Sequence, residues 1–268
     1  MADDGLFERF RSHPHASGIL CDFDGTLAPI VDDPDASRPL PEAVDLLHRL
    51  AAVYRRVAVI SGRPAGFLAA HLELAAHSHG GAAGDGLVAV GLYGLERAEG
   101  DRVDTDPRVE EWLPVIEEVA ALADAEAPEG VFVERKRLSL ALHYRTAPSH
   151  TDWATSWSAA QADRTGLLRH PARMSEELRP PLPVDKGTVV AGLAEDLGAV
   201  CFLGDDVGDV PAFDSLDELA RTRPMAAVKV AVRSEESPEA LLDAADLVVD
   251  GPEGVVDLLR CLLEPPPS

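Results

Sequence analysis

Residues Ile19 to Leu27 read I-L-C-D-F-D-G-T-L. A short apolar run breaks off at Asp22, and a second acid, Asp24, follows two residues later. Such a run, bounded by turn residues, is the pattern of a strand buried on both faces of a parallel sheet. The reading places that strand at Gly18 to Phe23, with its acids at the carboxyl end. In open α/β sheets ligands bind beyond those ends. One acidic strand end is also what a plain turn or helix cap provides, so the rest of the chain must decide.

The pattern recurs. Further buried strands are expected at 56–60 and 87–92, with helices at 5–12, 41–54 and 64–74. Later come helices at 187–197, 210–220, 238–245 and 252–263, and strands at 200–203, 227–232 and 247–249. Alternating β and α elements imply a parallel sheet with helices on both faces, a Rossmann-like α/β core. The middle differs: helix 107–125, strands 131–134 and 138–144, helix 151–165, then strands 167–170 and 174–178. About 120 residues separate the Ser61-Gly62-Arg63 turn from Lys186, too many for an ordinary crossover. The economical reading is a core of 1–99 and 181–268 with an inserted α+β cap domain at 100–180, the Pro-rich stretch 179–183 serving as a stiff return linker.

Composition narrows the function. The chain has 268 residues, 46% of them apolar, and a net charge of −23. So acidic a surface repels nucleic acid and anionic lipid, and neither is expected as a partner. No apolar run reaches the roughly 18 residues of a membrane span. The opening M-A-D-D-G-L-F-E-R-F has no signal-peptide core. Cys21, Cys201 and Cys261 are odd in number and far apart, which favours free thiols and a cytoplasmic setting. A monomer is favoured, although the sequence does not give the oligomeric state.

Three polar clusters fall at strand ends: Asp22-Phe23-Asp24-Gly25-Thr26, Ser61-Gly62, and Gly204-Asp205-Asp206-Val207-Gly208-Asp209. Lys186 opens a helix. Clustered carboxylates need a cation to share, and an all-oxygen set suits Mg²⁺. The spacing has a chemical use. Asp22 can attack phosphorus, and Asp24 can act as general acid and later as base. Gly25 lets backbone N–H groups approach phosphate. Ser61 can donate to a phosphoryl oxygen, and Lys186 adds positive charge.

D-F-D-G-T at 22–26, S-G at 61–62, Lys186 and G-D-D-V-G-D at 204–209 resemble, in order, the four motifs of the haloacid dehalogenase (HAD) superfamily of phosphohydrolases. The resemblance implies an aspartyl-phosphate on Asp22. It implies Mg²⁺ held by the Asp22 side chain, the Asp24 carbonyl and Asp205, with Asp206 and Asp209 as auxiliary acids. It also implies a cap of the C2 type, inserted after the second motif.

Four more stretches resemble the trehalose-6-phosphate phosphatase family: G-L-Y-G-L-E at 91–96, V-E-R-K at 133–136, S-L-A-L-H-Y-R at 139–145 and P-V-D-K-G at 183–187. With the core motifs the resemblance runs from about Gly18 to Leu259. It implies sugar contacts from Gly94, Glu96, Glu134 and Lys136. Further substrate contacts are expected from Asp22, Phe23, Asp24, Gly25, Thr26, Gly62 and Arg63. A surface ion pair is a competing reading of Glu134 and Lys136. For His143 and Arg145 a plain solvent-facing place stands beside any role. His77 and His79 are read as loop residues, and the glycines at 80–86 make no dinucleotide fingerprint because they precede a strand. Gly208, Val210 and Pro211 depart from the family's usual G-D-D-x-T-D-E. The function implied is Mg²⁺-dependent hydrolysis of trehalose 6-phosphate. The alternatives are a phosphatase of another sugar phosphate, such as a sucrose or glucosyl-glycerate phosphate, or a catalytically silent sugar-phosphate-binding module.

Overall fold

The computed structural model describes residues 5–31, 33–77, 86–172, 174–235 and 237–265. His79 and most of the glycine-rich stretch lie outside them. The strands are β1 (Ser17–Cys21), β2 (Arg56–Ile60), β3 (Leu87–Gly91), β4 (Glu96–Glu99), β5 (Arg102–Thr105), β6 (Phe132–Arg135), β7 (Leu140–His143), β8 (Leu168–Ala172), β9 (Ser175–Arg179), β10 (Ala199–Gly204), β11 (Ala226–Arg233) and β12 (Leu247–Asp250). The helices are α1 (Glu8–Ser12), α2 (Pro41–Ala51), α3 (Ala65–His71), α4 (Leu113–Glu126), α5 (Thr151–Thr165), α6 (Lys186–Leu193), α7 (Val210–Thr222), α8 (Glu239–Ala244) and α9 (Gly251–Leu262).

The chain divides into two compact units, Met1–Asp104 with Val184–Ser268, and Thr105–Pro183. The first carries an eight-stranded sheet, in the order β12-β11-β10-β1-β2-β3-β4-β5. The pairings from β12 through β3 are parallel, and β4 runs antiparallel to β3. Alternation along each strand feeds two cores. Ile19, Cys21, Val57, Val59 and Leu203 face α2, α3 and α9. Leu20, Ala58, Ile60, Val200 and Phe202 face α6, α7 and α8. The middle strands are buried on both faces, which is why they read as continuous apolar runs.

The β4–β5 hairpin is the element the sequence did not announce. E-R-A-E and R-V-D-T are mostly charged, and β5 is largely exposed at the sheet edge. Helix α3 ends at His71, short of the expected Leu74, because Glu73 adopts a left-handed backbone (φ 53°). The helix expected at 107–125 opens with a six-residue 3₁₀ turn, Pro107–Trp112, before α4.

The second unit is an antiparallel sheet, in the order β6-β7-β9-β8. One face packs on α4 and α5 through Ile116, Val119, Leu140, Leu142, Trp157 and Leu178. Among the described residues no helix is long and apolar enough to cross a membrane.

Candidate active site

Strand register assembles the first cluster. Cys21 pairs with Leu203 on one side, and with Val59 on the other. The residues that follow each strand therefore emerge side by side: Asp22 after β1, Asp205 after β10 and Ser61 after β2. The Asp22 N–H donates to the Leu203 carbonyl at 2.8 Å, which extends the ladder one residue past β1. Gly25 then turns the chain at φ 77°, and a Cβ there would lie 2.0 Å from an Asp205 carboxylate oxygen. Only glycine lets the two acidic turns approach this closely. The Thr26 hydroxyl donates to Asp205 Oδ1 at 3.4 Å.

Lys186 enters from the first turn of α6. Asp185 caps that helix, accepting the Thr188 N–H at 2.7 Å while the Thr188 hydroxyl accepts the Asp185 N–H at 2.9 Å. The Lys186 ammonium lies 2.8 Å from Asp22 Oδ1 and 2.6 Å from Asp209 Oδ1. Asp209 Oδ2 accepts the backbone N–H groups of Asp205 and Asp206 at 3.0 and 3.2 Å. Asp209 thus spends its lone pairs on shaping the loop and aiming the lysine. Asp206 caps the same turn, accepting the Gly208 N–H at 2.7 Å. Gly208 therefore leaves the turn intact.

Asp22, Asp205 and Asp209 present oxygens within 4.8 Å of one another, all buried. Burial pushes the Asp22 carboxyl well above its ordinary value; Lys186 opposes this, and Asp209 and Asp205 add to it. Asp205 is pushed up to about 8, by burial first and then by Asp209 and Asp206. Burial alone would lower the Lys186 ammonium, but Asp209 and Asp22 outweigh it and hold it well above its ordinary value. Three buried carboxylates against one ammonium leave excess negative charge, and the donors are all oxygen. That set fits a hard divalent cation. The triad contains Asp209 where the sequence reading named Asp24, whose expected contribution was its carbonyl.

Ser61 Oγ accepts the Arg63 N–H at 3.2 Å, which leaves the hydroxyl hydrogen to donate. A Cβ on Gly62 would lie 2.4 Å from the Tyr93 phenol oxygen, so a side chain there would displace the Tyr93 ring end. Arg63 binds the Asp24 carboxylate. Phe23, expected to touch substrate, has a fully buried ring in the core, edge-on to Phe67. Glu96 is also buried, and it accepts the Ala65 N–H at 2.9 Å at the start of α3. Gly94 holds φ 117° in the same turn.

The second unit has a polar cluster of its own, on the sheet face opposite α4 and α5. Register aligns Glu134, Ala141, Glu177 and His170 in one row across its four strands. The Lys136 ammonium lies 3.6 Å from Glu134 and 3.4 Å from Glu177. His143 Nε2 lies 2.7 Å from Glu134 Oε2. Glu177 also accepts from Ser139 and Arg179 at 2.7 and 2.6 Å. Burial would raise its carboxyl, but Lys136 and Arg179 hold it down at about 2. Glu134 and Lys136 are mostly buried, unlike a surface ion pair. Glu177, Arg179 and Ser139 were not singled out from sequence. Their partners come together through strand pairing, which spacing along one strand does not reveal.

Comparison with known proteins places the chain among its relatives. The trehalose-phosphatase family model matches residues 20–245. The trehalose-phosphate phosphatase of Mycolicibacterium paratuberculosis is 34% identical over 271 residues, covering 97% of this chain and 64% of that protein, so the chain spans just under two thirds of that relative's length. The C-terminal domain of a C. albicans trehalose-6-phosphate phosphatase superposes with a TM-score of 0.75 at 22% identity, covering 97% of this chain and 96% of that one. A haloacid dehalogenase-like hydrolase from Bacteroides thetaiotaomicron gives 0.61 at 16% identity, over 92% and 100%. The two structural likenesses speak for the fold, a HAD-type core with an inserted α+β cap. The family match speaks for the lineage, and it spans the Asp22 turn, the Ser61 turn, Lys186 and the Asp205 loop alike: the chain belongs to the trehalose-phosphatase family.

Proposed function

We propose that the protein is a Mg²⁺-dependent phosphatase that hydrolyses trehalose 6-phosphate to trehalose and phosphate through an aspartyl-phosphate. The observation that carries this reading is the buried Asp22 carboxylate, held against Lys186 and grouped with Asp205 at adjoining strand ends. A module that only binds a sugar phosphate has no need of a nucleophile so placed.

In the first step an Asp22 oxygen bonds to phosphorus as the bond to the sugar oxygen breaks, and Asp24 gives that oxygen a proton. In the second, Asp24 takes a proton from water, whose oxygen attacks phosphorus and frees Asp22. Lys186 keeps positive charge beside Asp22 Oδ1 throughout, and Ser61 donates to a phosphoryl oxygen. Asp22, Asp205 and the Asp24 carbonyl would hold a divalent cation, which when bound would neutralise developing negative charge.

Sugar recognition is assigned to Glu134 and Lys136 of the second unit, and to Gly94 and Glu96 of the first. Carboxylates accept from sugar hydroxyls, and an ammonium donates to hydroxyl or phosphate oxygens. Glu96 contributes through the turn it anchors at Ala65. The reading places the enzyme in the cytoplasm as a monomer, in keeping with three free cysteines.

One assay tests both halves: phosphate release by the wild type and by Lys136→Ala, from trehalose 6-phosphate, other sugar phosphates and p-nitrophenyl phosphate, with Mg²⁺ and with EDTA. The expected result is metal-dependent release selective for the trehalose ester. Lys136→Ala raises KM for that ester about tenfold or more, and leaves the aryl ester within about twofold. Equal effects on both esters would remove Lys136 as a specificity contact. Release from a different ester would replace the substrate, and release from none would favour the binding module.

A further inference from the structure

Asp24 is gripped from two other segments of the first unit. Arg63 Nε donates to its Oδ2 at 2.8 Å and Nη2 to its Oδ1 at 2.7 Å, a bidentate pair. The Ser37 hydroxyl donates to Oδ1 at 2.8 Å. Ser37 is fully buried and belongs to none of the motifs. It arrives from the loop after the first motif, 13 residues along the chain. Arg63 is itself braced, with its guanidinium carbon 5.0 Å from the Phe67 ring centroid. Phe67 in turn packs edge-on against Phe23, the residue between the two acids.

We propose that Ser37 and Arg63 are positioning residues, which fix the Asp24 carboxyl for proton transfer and do not themselves bind the phosphoryl group. The inference rests on the phosphatase reading. A planar guanidinium on both oxygens orients the carboxyl, and the serine holds one of its oxygens. Groups that act through Asp24 matter only as far as its proton matters. A sugar oxygen departing from phosphorus must take a proton from Asp24. A p-nitrophenolate departs as the anion and needs none. The leaving group therefore separates a positioning role from a phosphate contact, because both esters share the phosphoryl group.

The test is the first-turnover rate of alcohol release from trehalose 6-phosphate and from p-nitrophenyl phosphate, which precedes water attack. It is run with Mg²⁺ on the wild type, Ser37→Ala, Arg63→Lys, Asp24→Asn and the Ser37→Ala/Asp24→Asn double variant. On the sugar ester Ser37→Ala is expected to slow release about tenfold. Arg63→Lys slows it about a hundredfold. Half-saturation stays near wild type. On the aryl ester Ser37→Ala stays within about threefold of wild type, which also reports an intact fold, and Arg63→Lys loses clearly less than it does on the sugar ester. In the Asp24→Asn background Ser37→Ala adds no further loss. Equal losses on the two esters, or a loss expressed mainly in half-saturation, would overturn the positioning role and leave the phosphatase reading standing. A wild type that hydrolyses neither ester would overturn both.

Discussion

Asp22→Asn is expected to lower turnover of every phosphate ester by at least about a thousandfold, without lowering the melting temperature measured in EDTA. The two halves of this result have one cause. The Asp22 carboxylate is buried beside Asp205 and Asp209, and burial and those neighbours hold its carboxyl well above the ordinary value. An acid raised on folding opposes the folded state at neutral pH, where its charged form must be kept out of water. Asparagine has nearly the same shape and removes that charge, so the fold loses nothing by it. It also removes the oxygen that bonds to phosphorus, so the chemistry stops. A well-folded, active variant would mean that another group attacks the ester.

Lys186→Met is expected to have the largest effect on stability. The ammonium lies between Asp22 and Asp209, at 2.8 and 2.6 Å, and all three side chains are buried. Removing one partner of a buried ion pair leaves uncompensated charge and costs about 3–5 kcal/mol. Urea unfolding in EDTA at neutral pH measures this. Lys186 holds the Asp205 carboxyl lower than its burial and acidic neighbours would leave it, so removing the ammonium raises that carboxyl further and the deficit grows as pH rises. Asp205 has a folded value of about 8 against an ordinary 3.8. Between those values the folded state holds protons that the unfolded state has lost, so stability falls as pH rises and the full penalty is reached above about 8. Acidifying toward pH 5 should therefore restore part of the variant's stability. Adding Mg²⁺ at neutral pH should do the same. Turnover falls at least about a hundredfold on sugar and aryl esters alike, because the charge on Lys186 serves the phosphoryl group rather than the leaving alcohol. A variant as stable as wild type in EDTA would contradict the charge balance described for the cluster.

Much of this was legible in the sequence, for a physical reason. Strands β1, β2 and β10 are buried on both faces, so they must be apolar throughout, and the polar residues that end them stand out. Asp22, Ser61 and Asp205 sit at those ends, and parallel register alone brings them together. The sheet's charged edge was not legible, because E-R-A-E and R-V-D-T are mostly charged and β5 pairs at an exposed margin. Glu177 and Arg179 were hidden for a related reason: they join Lys136 through cross-strand register, which one sequence does not encode as spacing. Phe23 shows the two roles one position can carry: alternation turns its ring into the core, and its backbone lies between the two acids. Ser37 sits in a stretch, D-D-P-D-A-S-R-P, that reads as a plain turn, and only its bond to Asp24 distinguishes it.

The central claim is that Asp22 carries the phosphoryl group. It is tested most directly by quenching the enzyme during turnover of trehalose 6-phosphate with Mg²⁺, reducing with borohydride, and mapping the product by mass spectrometry. An acyl phosphate is reduced to an alcohol, so residue 22 should appear as homoserine in the wild type and no other acid should be altered. Reduction at a different carboxylate, or at none while phosphate is being released, would contradict the account.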